Sequence, residues 1–295
     1  MSYSEDDYSR DYVREDKERN HSSKRRSRYS SDDEDESSDT IRIRPFNFDD
    51  MPPFTGKASE TGKGVKIVVI GKAGSGKSEL VKSIIASKAH LIPVAQVFSG
   101  TEDSNGTYAS FMPDVCVHNK LDFKALEQFK TRQKIAGKYL KYPYALNIID
   151  DCTDDPKLLK KPIIQDIYKN GRHWYMMHIL TLQYCLDIPP AIRNNYDYAF
   201  IFKENIQATR EKLHKYFGAC VHKFSDFNTL LDQITGDYTA LVIKNSASAT
   251  TAEECLFWYK ADINAIPKNW KFGSATAWEF QQDRRDPNAV ETFGL

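Results

Sequence analysis

The segment GKAGSGKS, residues 71–78, follows directly on the apolar run VKIVVI and constrains the fold more than any other part of the chain. The run before it has the length and β-branched content of a buried strand. In the segment after it, Leu80, Val81, Ile84 and Ile85 recur at helical spacing. A loop of the pattern G-x-x-x-x-G-K-[ST] between a strand and a helix is typical of a phosphate-binding site.

The glycines of this loop allow backbone conformations that turn successive N–H groups inward, which makes a concave anion site. The loop also opens a helix, whose first N–H groups and dipole favour negative charge. Lys77 is expected to reach the β- and γ-phosphates, and the hydroxyl of Ser78 to coordinate Mg²⁺. We therefore predict that ATP binds the residues of the loop, Gly71, Lys72, Ala73, Gly74, Ser75, Gly76, Lys77 and Ser78.

A second feature is the pair of aspartates in NIIDDC, at the end of a strand predicted over residues 144–149. A carboxylate in that place can orient Mg²⁺ through its waters, and a second one can activate the attacking water. We assign Asp150 to the metal and Asp151 to the general base. The alternative is an acidic turn that caps the following helix.

The composition excludes several classes of protein. The chain has 41 basic and 41 acidic residues, so its formal net charge is zero and any surface for nucleic acid must be local. Its five cysteines form no CxxC pair, which argues against a zinc site or a disulfide framework and favours a reducing compartment. With a polar N-terminus and no apolar stretch near the ~20 residues that span a bilayer, the sequence predicts a soluble intracellular protein.

Charged residues are concentrated at the N-terminus. Residues 1–40 contain almost no aliphatic side chain, and we predict that residues 1–60 form a disordered tail and linker. The tail carries a basic block, KRRSR at 24–28, followed by an acidic one, DDEDE at 32–36. The basic block is a candidate for nuclear import or for nucleic-acid contact, unless the two blocks simply neutralise each other.

From Val65 onward, short apolar strands alternate with helical patterns, which predicts an α/β fold with a mainly parallel sheet flanked by helices. We assign residues 61–261 to this domain and residues 262–295 to a C-terminal extension that docks on it. The predicted strands are residues 65–70, 94–99, 144–149, 176–183, 198–203, 239–244 and 256–261. One predicted helix begins at about residue 79, and the others cover residues 121–139, 157–170, 206–217 and 224–234.

Other polar residues are weaker candidates. Gln183 ends the apolar strand HILTLQ, where an amide could sense the γ-phosphate or orient a water, although a glutamine at a strand end is often only a solvated edge residue. Arg172 precedes that strand and could act as an arginine finger on a neighbouring subunit, or it could simply lie on the surface. Arg193 and Arg210 are alternatives for the same role. The loop TEDSNGTYASFMP is a candidate for contact with DNA or a partner protein, or for a cover of the core.

The order of these parts resembles that of the genome-packaging ATPases of large nucleocytoplasmic DNA viruses, poxviruses among them, within the FtsK–HerA superfamily. The segments that carry the resemblance are GKAGSGKS, VFSGTEDSN with FMP, NIIDDC, GRHWYMMHILTLQ and IPPAIRNNYDYAFIF, within residues 65–261. Many members of that superfamily have glutamate where this chain has Asp151. A shorter carboxylate must lie closer to the attacking water.

The resemblance implies a P-loop NTPase fold of the RecA/FtsK-like type, with an extra strand between the phosphate-loop strand and the metal-acid strand. The segment VAQVFS is expected to be that strand, because it is apolar and comes next in sequence. The roles that the resemblance implies are phosphate and Mg²⁺ binding by Lys77 and Ser78, metal binding by Asp150, catalysis by Asp151, a sensor in Gln183 and a trans-acting finger in Arg172.

The resemblance also implies an ATPase that translocates double-stranded DNA into a capsid. Such a motor is expected to be a homo-oligomeric ring, with capsid or virion-assembly proteins as partners, at assembly sites in the host cytoplasm or in the virion. The residues alone indicate only an α/β nucleotide hydrolase. Two other classes stay open: a phosphotransferase such as a nucleoside kinase, although no arginine-rich lid is evident, and a nucleotide-dependent assembly scaffold without turnover.

Overall fold

The computed structural model describes residues 42–54, 64–152, 155–183, 188–249 and 251–284. The predicted tail up to residue 40, with its basic block, lies outside these residues. Within them, helices flank a sheet with the strands β1 Arg44–Pro45, β2 Lys66–Ile70, β3 Ala95–Ser99, β4 Val117–His118, β5 Ala145–Asp150, β6 Met176–Leu182, β7 Tyr198–Ile201, β8 Thr239–Lys244 and β9 Leu256–Lys260. The helices are α1 Lys77–Lys88, α2 Glu102–Asn105, α3 Phe123–Tyr139, α4 Pro162–Asn170, α5 Pro190–Arg193, α6 Gln207–Tyr216, α7 Phe224–Ile234 and α8 Ala275–Arg284.

The strands lie in the order β1-β9-β8-β7-β2-β6-β5-β3-β4. Those from β7 to β4 run parallel to one another, whereas β8 is antiparallel to both of its neighbours. The prediction of a mainly parallel sheet flanked by helices is therefore confirmed. The loops that follow β2, β5, β6 and β7 meet at one end of the sheet, called here the carboxyl end, which is where open α/β sheets bind ligands.

The strand between the phosphate-loop strand and the metal-acid strand is β6, and the expectation that VAQVFS fills this place is wrong. That segment forms β3, which pairs with β5 on the side away from β2. The helical crossover from β2 to β3 passes over the positions that β5 and β6 later occupy. Order along the chain therefore does not fix order in a doubly wound sheet, where neighbours are often supplied by a later segment.

The helix predicted over residues 157–170 is two elements. A 3-10 turn covers Pro156–Lys160, and α4 begins at Pro162. Proline has no N–H to donate and its ring clashes with the preceding turn, so it stands at the first position of a helix and not inside one. The break separates the loop after β5 from the amphipathic helix that packs on the sheet.

Apolar side chains cover both faces of the sheet. On one face, Ile67 and Val69 pack with Leu80 and Ile84 of α1. On the other face, the intervening Val68 and Ile70 lie in a cluster with the apolar residues of α4. Because both faces are covered, β2 is buried along its whole length and shows no apolar–polar alternation. This burial fixes the start of the phosphate loop, which leaves the end of β2. Among the described residues, no helix is both long and apolar enough to cross a membrane.

Residues 42–54 pack on the sheet, although the sequence assigned them to a linker. The short strand β1 pairs in parallel with β9. Next to it, Phe46 is buried, with its ring edge-on to Tyr198 and Phe200 of β7 and to Phe257 of β9. The signal is weak in the sequence, because the buried apolar residues of this segment, Phe46, Phe48 and Met51, are isolated among prolines and aspartates.

The segment after β9 also packs on the domain. Phe272 is buried, and its N–H donates to the carbonyl of Phe111 at 2.7 Å. Further along, the side chain of Gln281 in α8 accepts from the N–H of Asp114 at 2.7 Å and donates to its carboxylate at 3.1 Å. The described part of the C-terminal extension thus covers the loop that precedes β4.

Candidate active site

The phosphate loop joins β2 to α1 and has backbone conformations that require glycine. Gly74 and Gly76 have φ of 76° and 98°, in the left-handed region that other residues rarely adopt. Gly71 is required for a different reason. A β-carbon at that position would lie 2.5 Å from the Ser75 hydroxyl oxygen and 2.9 Å from Phe202 Cβ. The three glycines are therefore fixed by backbone geometry and by close packing.

Lys77 lies inside the curve of this loop. Its ammonium group is buried and donates to the carbonyls of Gly71 at 2.6 Å and Lys72 at 3.2 Å. Near it, the hydroxyl oxygen of Ser75 is buried without a hydrogen-bond partner among the described residues. The loop thus offers the ammonium group of Lys77 and the unused hydroxyl donor of Ser75. Both suit a ligand rich in negatively charged oxygens. The loop residues thus fit a bound triphosphate.

Glu204 anchors the outer side of the loop. It follows β7, and its buried carboxylate pairs with the ammonium of Lys72 at 2.8 Å. It also accepts from the N–H groups of Asn205 and Ile206 at 2.7 and 2.8 Å. Burial alone would raise the pKa of Glu204, but the hydrogen bonds from Lys72 and the two amides lower it below its usual value. A carboxylate held in the ionised form keeps the side chain of Lys72 outside the loop and leaves Lys77 inside it.

Asp150 ends β5, two strands away from β2, and Asp151 follows it. The buried side chain of Asp150 accepts a hydrogen bond from the Thr181 hydroxyl at 2.5 Å, and the same hydroxyl accepts from the N–H of Asp151 at 3.1 Å. Thr181 lies on β6, one residue beyond the pairing of Ile149 with Leu180. The register of β5 on β6 thus places a threonine between the two acids.

The environment of Asp150 disfavours its charge when no cation is bound. Burial raises its pKa, and the neighbouring charge of Asp151 raises it further, whereas the Thr181 hydroxyl and the charge of Lys77 lower it. Tyr108, whose buried hydroxyl is close enough to interact with Asp150, makes no hydrogen bond of good geometry with it. Burial and the negative charge of Asp150 together raise the pKa of Tyr108 well above its usual value, so the phenol stays protonated. Because the phenol is neutral, it does not offset the negative charge of Asp150, and that charge stays available to bind a cation.

Asp151 has a backbone conformation that suits a functional residue. Its φ of 47° is in the left-handed region, which costs free energy for a residue with a side chain. One carboxylate oxygen is buried without a hydrogen-bond partner among the described residues. Gly100 makes room for this turn, since a β-carbon there would lie 2.4 Å from the Asp151 carbonyl oxygen. A buried acceptor with an unused lone pair fits a water or a hydrated metal ion.

These residues fit Mg²⁺ by the chemistry of their donors. Hard cations prefer carboxylate and hydroxyl oxygens and keep several waters. Asp150 supplies a buried carboxylate, and Ser78 supplies an exposed hydroxyl in the first turn of α1. Both belong to segments at the carboxyl end of the sheet. Asp150 and Ser78 would hold the ion there, with Asp151 near its waters.

The other predicted residues divide between the two ends of the sheet. Gln183 follows β6 at the carboxyl end and is exposed. Arg172 precedes β6 at the opposite, amino end, where its guanidinium pairs with Asp197 and its carbonyl accepts from the N–H of Gly64 at 2.9 Å. A strand of seven residues spans about 23 Å at roughly 3.3 Å per residue, so Arg172 is too far from its own phosphate loop to act on it.

The two alternative arginines differ in how firmly they are held. Arg210 is buried and engaged, with a bidentate pair to Asp232 and a hydrogen bond of 2.6 Å to the Glu204 carbonyl. It therefore has a structural role within its own chain. Arg193 lies over the ring of Tyr216 at 5.1 Å from the centroid and is partly exposed.

The loop TEDSNGTYASFMP covers the core with one side. Tyr108, Phe111 and Met112 are buried in it, and the carboxylate of Glu102 accepts from the N–H groups of Tyr108 and Ala109 at 2.9 and 2.8 Å. The short helix α2 leaves its other polar side chains exposed. The structure thus favours the core-covering interpretation for the second half of this loop.

Sequence reasoning missed three residues of the site. Thr181, Tyr108 and Glu204 contact or flank the predicted residues, but none of the three was assigned a role, although Thr181 and Tyr108 lie in segments that the sequence singles out. A threonine inside an apolar strand and a glutamate directly after one were visible signals. Their partners, however, depend on strand register and order, which one sequence does not supply.

Comparisons with known proteins identify a family for this chain and agree with its fold. The profile of the family described as Poxvirus A32 protein matches residues 57–271. The chain is 40% identical over 236 residues to the uncharacterized protein 088R of Invertebrate iridescent virus 3, covering 79% of this chain and 90% of that protein. It is 39% identical over 245 residues to protein 075L of Invertebrate iridescent virus 6, covering 82% and 94%.

A solved structure has the same fold. The genome packaging NTPase B204 from Sulfolobus turreted icosahedral virus 2, in complex with AMP, matches with a TM-score of 0.50 at 19% identity. The match covers 68% of this chain and 98% of that one. At this identity the likeness shows the fold alone.

Proposed function

Because the chain belongs to the Poxvirus A32 protein family, we propose that it is the ATP-hydrolysing motor that translocates double-stranded viral DNA into the capsid during virion assembly. The observation that carries the proposal is the arrangement at the carboxyl end of the sheet. A buried lysine in a glycine loop and two adjacent acids share that end, and one threonine contacts both acids.

The residues have separate tasks in hydrolysis. Lys77 leaves the carbonyls of the loop to bind the β- and γ-phosphates of ATP, which the backbone N–H groups and Ser75 also contact. Asp150 and Ser78 would hold Mg²⁺, which would supply positive charge to offset that of the phosphates. Asp151 accepts a proton from the water that attacks the γ-phosphorus in line with the leaving oxygen. Thr181 orients the two carboxylates differently, because its hydroxyl donates to the side chain of Asp150 and accepts from the backbone N–H of Asp151.

Coupling to DNA requires more than one subunit. Gln183, at the exposed end of β6 beside the phosphate loop, senses whether a γ-phosphate is present. Arg172 contributes to the site of the adjacent subunit in a homo-oligomeric ring, where the amino end of one sheet faces the carboxyl end of the next. The support for this arrangement is that Arg172 is more than half exposed, at 53%, and is too distant to serve its own loop.

DNA and virion-assembly proteins are the partners of this motor. The formal charge of the chain is zero, so contact with the DNA backbone must come from local clusters and not from a general positive field. The exposed polar half of the loop before Tyr108 is one candidate for such contact.

The deciding experiment measures ATP hydrolysis by the full chain with and without double-stranded DNA, together with a search for a phosphorylated acceptor. We expect hydrolysis that increases with DNA and disappears in Lys77→Ala. Phosphate transfer to a nucleoside would indicate a phosphotransferase instead. ATP binding without turnover, with or without DNA, would indicate an assembly scaffold. Either of those results would overturn the motor proposal.

A further inference from the structure

Tyr238 is an exposed aromatic residue at the same end of the sheet as the phosphate loop. It precedes β8, which runs antiparallel to β7, so the start of β8 lies beside the end of β7. The residue is 65% exposed. The hydrolysis described above gives this residue no task, although it lies at the rim of the site.

The ring of Tyr238 lies against the phosphate loop. A β-carbon built at Gly76 would lie 3.3 Å from Tyr238 Cδ1 and 3.6 Å from Phe202 Cε1. Phe202 is buried beneath the loop, whereas Tyr238 borders it from the solvent side. The absence of a side chain at Gly76 therefore has two effects. It permits the positive φ of this residue, and it lets an aromatic ring approach the point where α1 begins.

The backbone that presents this ring is strained. Asp237 and Tyr238 have φ of 48° and 59°, two consecutive non-glycine residues in the left-handed region. The turn is held by the pair between Asp237 and Lys260 and by a hydrogen bond of 2.9 Å from the N–H of Thr239 to the carbonyl of Gly236. A bulky aromatic residue in this conformation is unfavourable, and such strain is concentrated at functional sites.

We propose that the ring of Tyr238 stacks on the purine base of ATP bound in the phosphate loop. The loop holds the phosphate chain, so the ribose and base extend from it toward the rim, where Tyr238 offers an exposed aromatic face. Stacking recognises the flat face of a base and not the hydrogen-bonding groups at its edge. The inference rests on ATP as the ligand of the loop and does not require DNA transport.

The test compares a nucleotide with a ligand that has no base. Binding of ATPγS and of tripolyphosphate, each with Mg²⁺, is measured by calorimetry for the native chain, Tyr238→Asn and Tyr238→Phe. Asparagine tolerates the left-handed conformation, so it removes the ring with little change to the backbone. We expect Tyr238→Asn to weaken ATPγS by about 5- to 150-fold, the range for loss of one base–aromatic stack, and to leave tripolyphosphate unchanged. Tyr238→Phe should bind both ligands as the native chain does.

Tyr139→Asn, at an 80% exposed tyrosine at the end of α3, serves as the matched control. Equal weakening of both ligands by Tyr238→Asn would assign the residue to shaping the loop, and no weakening of either would remove it from the site. Both results would overturn the proposal. On the native chain, photolabelling with 8-azido-ATP should modify residues 236–239, and labelling confined to other segments would contradict it. Loss of DNA stimulation with normal nucleotide binding would remove the motor proposal and leave this one intact.

Discussion

Two adjacent carboxylates at the end of β5 have different surroundings, and this difference supports the separate roles proposed for them. Asp150 is buried and interacts with Thr181, Tyr108 and Lys77, whereas Asp151 turns away in a left-handed conformation. A metal ion favours the first, because a cation restores the charge that burial disfavours. A catalytic base must contact a water, which the unused oxygen of Asp151 can do.

Asp151→Asn should stop the chemistry without unfolding the site. Asparagine is the residue that best replaces aspartate in the left-handed region, and the backbone N–H still donates to Thr181. Removing a general base is expected to lower the turnover rate by about 10²–10⁴-fold, with ATP binding retained. Single-turnover hydrolysis and equilibrium nucleotide binding measure the two properties separately. Normal turnover in this variant would show that the base has been assigned to the wrong residue.

Asp150→Asn should separate activity from stability. Because burial raises the folded-state pKa of Asp150, its contribution to the stability of the metal-free protein is greatest at low pH and is lost as pH rises through that pKa. The neutral amide avoids this loss, so we expect a higher unfolding temperature than native at pH 7.5 without Mg²⁺. Hydrolysis should fall by more than about 10²-fold, since the metal contributes several kcal/mol to transition-state stabilisation. A variant less stable than native under those conditions would contradict the account of Asp150.

The sequence predicts roles for Lys77, Asp150 and Asp151 because their signals are local. A glycine loop and an acid at a strand end are read within a few residues. Thr181 was not predicted, since its contacts with the two aspartates depend on the register of β5 on β6. Gln183, two residues later, was chosen as the polar candidate instead. The roles of Gln183 and Arg172 stay predictions, as do those of Lys77, Asp150 and Asp151.

At the scale of elements, β5 and β6 share a buried polar pair in the middle of the sheet. His178 Nδ1 and the side-chain oxygen of Asn147 lie 2.8 Å apart, in cross-strand register. Burial, together with the charge of Lys66, lowers the pKa of His178 to about 3. The histidine is therefore neutral in the folded protein and must not take up a proton while the sheet stays intact.

This pair should make the fold sensitive to acid. Between the unfolded-state pKa of about 6.5 and the folded-state value, the unfolded chain binds a proton that the folded chain does not, so stability falls as pH falls. From pH 7.5 to 5.5, His178 alone should lower the free energy of unfolding by about 1.4 kcal/mol. Urea unfolding of the native chain and of His178→Gln at both pH values tests this. An equal loss in the two proteins would mean that His178 does not carry the effect.

Helices and strands were predicted correctly where the apolar pattern extended over many residues. They were missed, or placed wrongly in the sheet, where their position depends on the topology of the whole sheet. The strands before the phosphate loop and the acids, and the helix over residues 224–234, appear as predicted. The central place of β6 and the edge strand β1 were not predictable from local pattern. The first depends on the order of crossovers, and the second on three aromatic and apolar residues that pack on distant strands.

At the scale of the whole molecule, Arg172 and the phosphate loop lie at opposite ends of one sheet. Arg172→Ala should bind ATP normally but turn over about 10³–10⁵-fold more slowly, as expected for loss of an arginine finger. Mixed with Lys77→Ala, which keeps its finger, it should recover activity above that of either variant alone, because some interfaces pair an intact loop with an intact arginine. Arg193→Ala is the comparison variant.

A tag pull-down shows whether mixed rings have formed. Mixed assemblies without recovered activity would argue against a role in trans. Arg172 would then serve only its own chain, through its pairing with Asp197 and the start of β2.

Deletion of residues 1–40 should leave folding and basal hydrolysis unchanged, since the deletion ends before β1 and its anchor at Phe46. If the basic block of the tail contacts DNA, the DNA affinity of the truncated chain should depend less steeply on salt than that of the full chain. Each phosphate contact contributes a slope of about −0.9 in log affinity against log salt. DNA affinity of both proteins is measured over a series of salt concentrations. An identical slope with and without the tail would exclude a DNA role for it.

The central claim is that hydrolysis moves the protein along double-stranded DNA. Displacement of a third strand from a triplex placed at the end of a long duplex measures this directly. The full chain with ATP and Mg²⁺ should release the third strand, with a delay that grows with duplex length, and Lys77→Ala should not. DNA-stimulated hydrolysis at full rate with the third strand left in place at every duplex length would contradict the account.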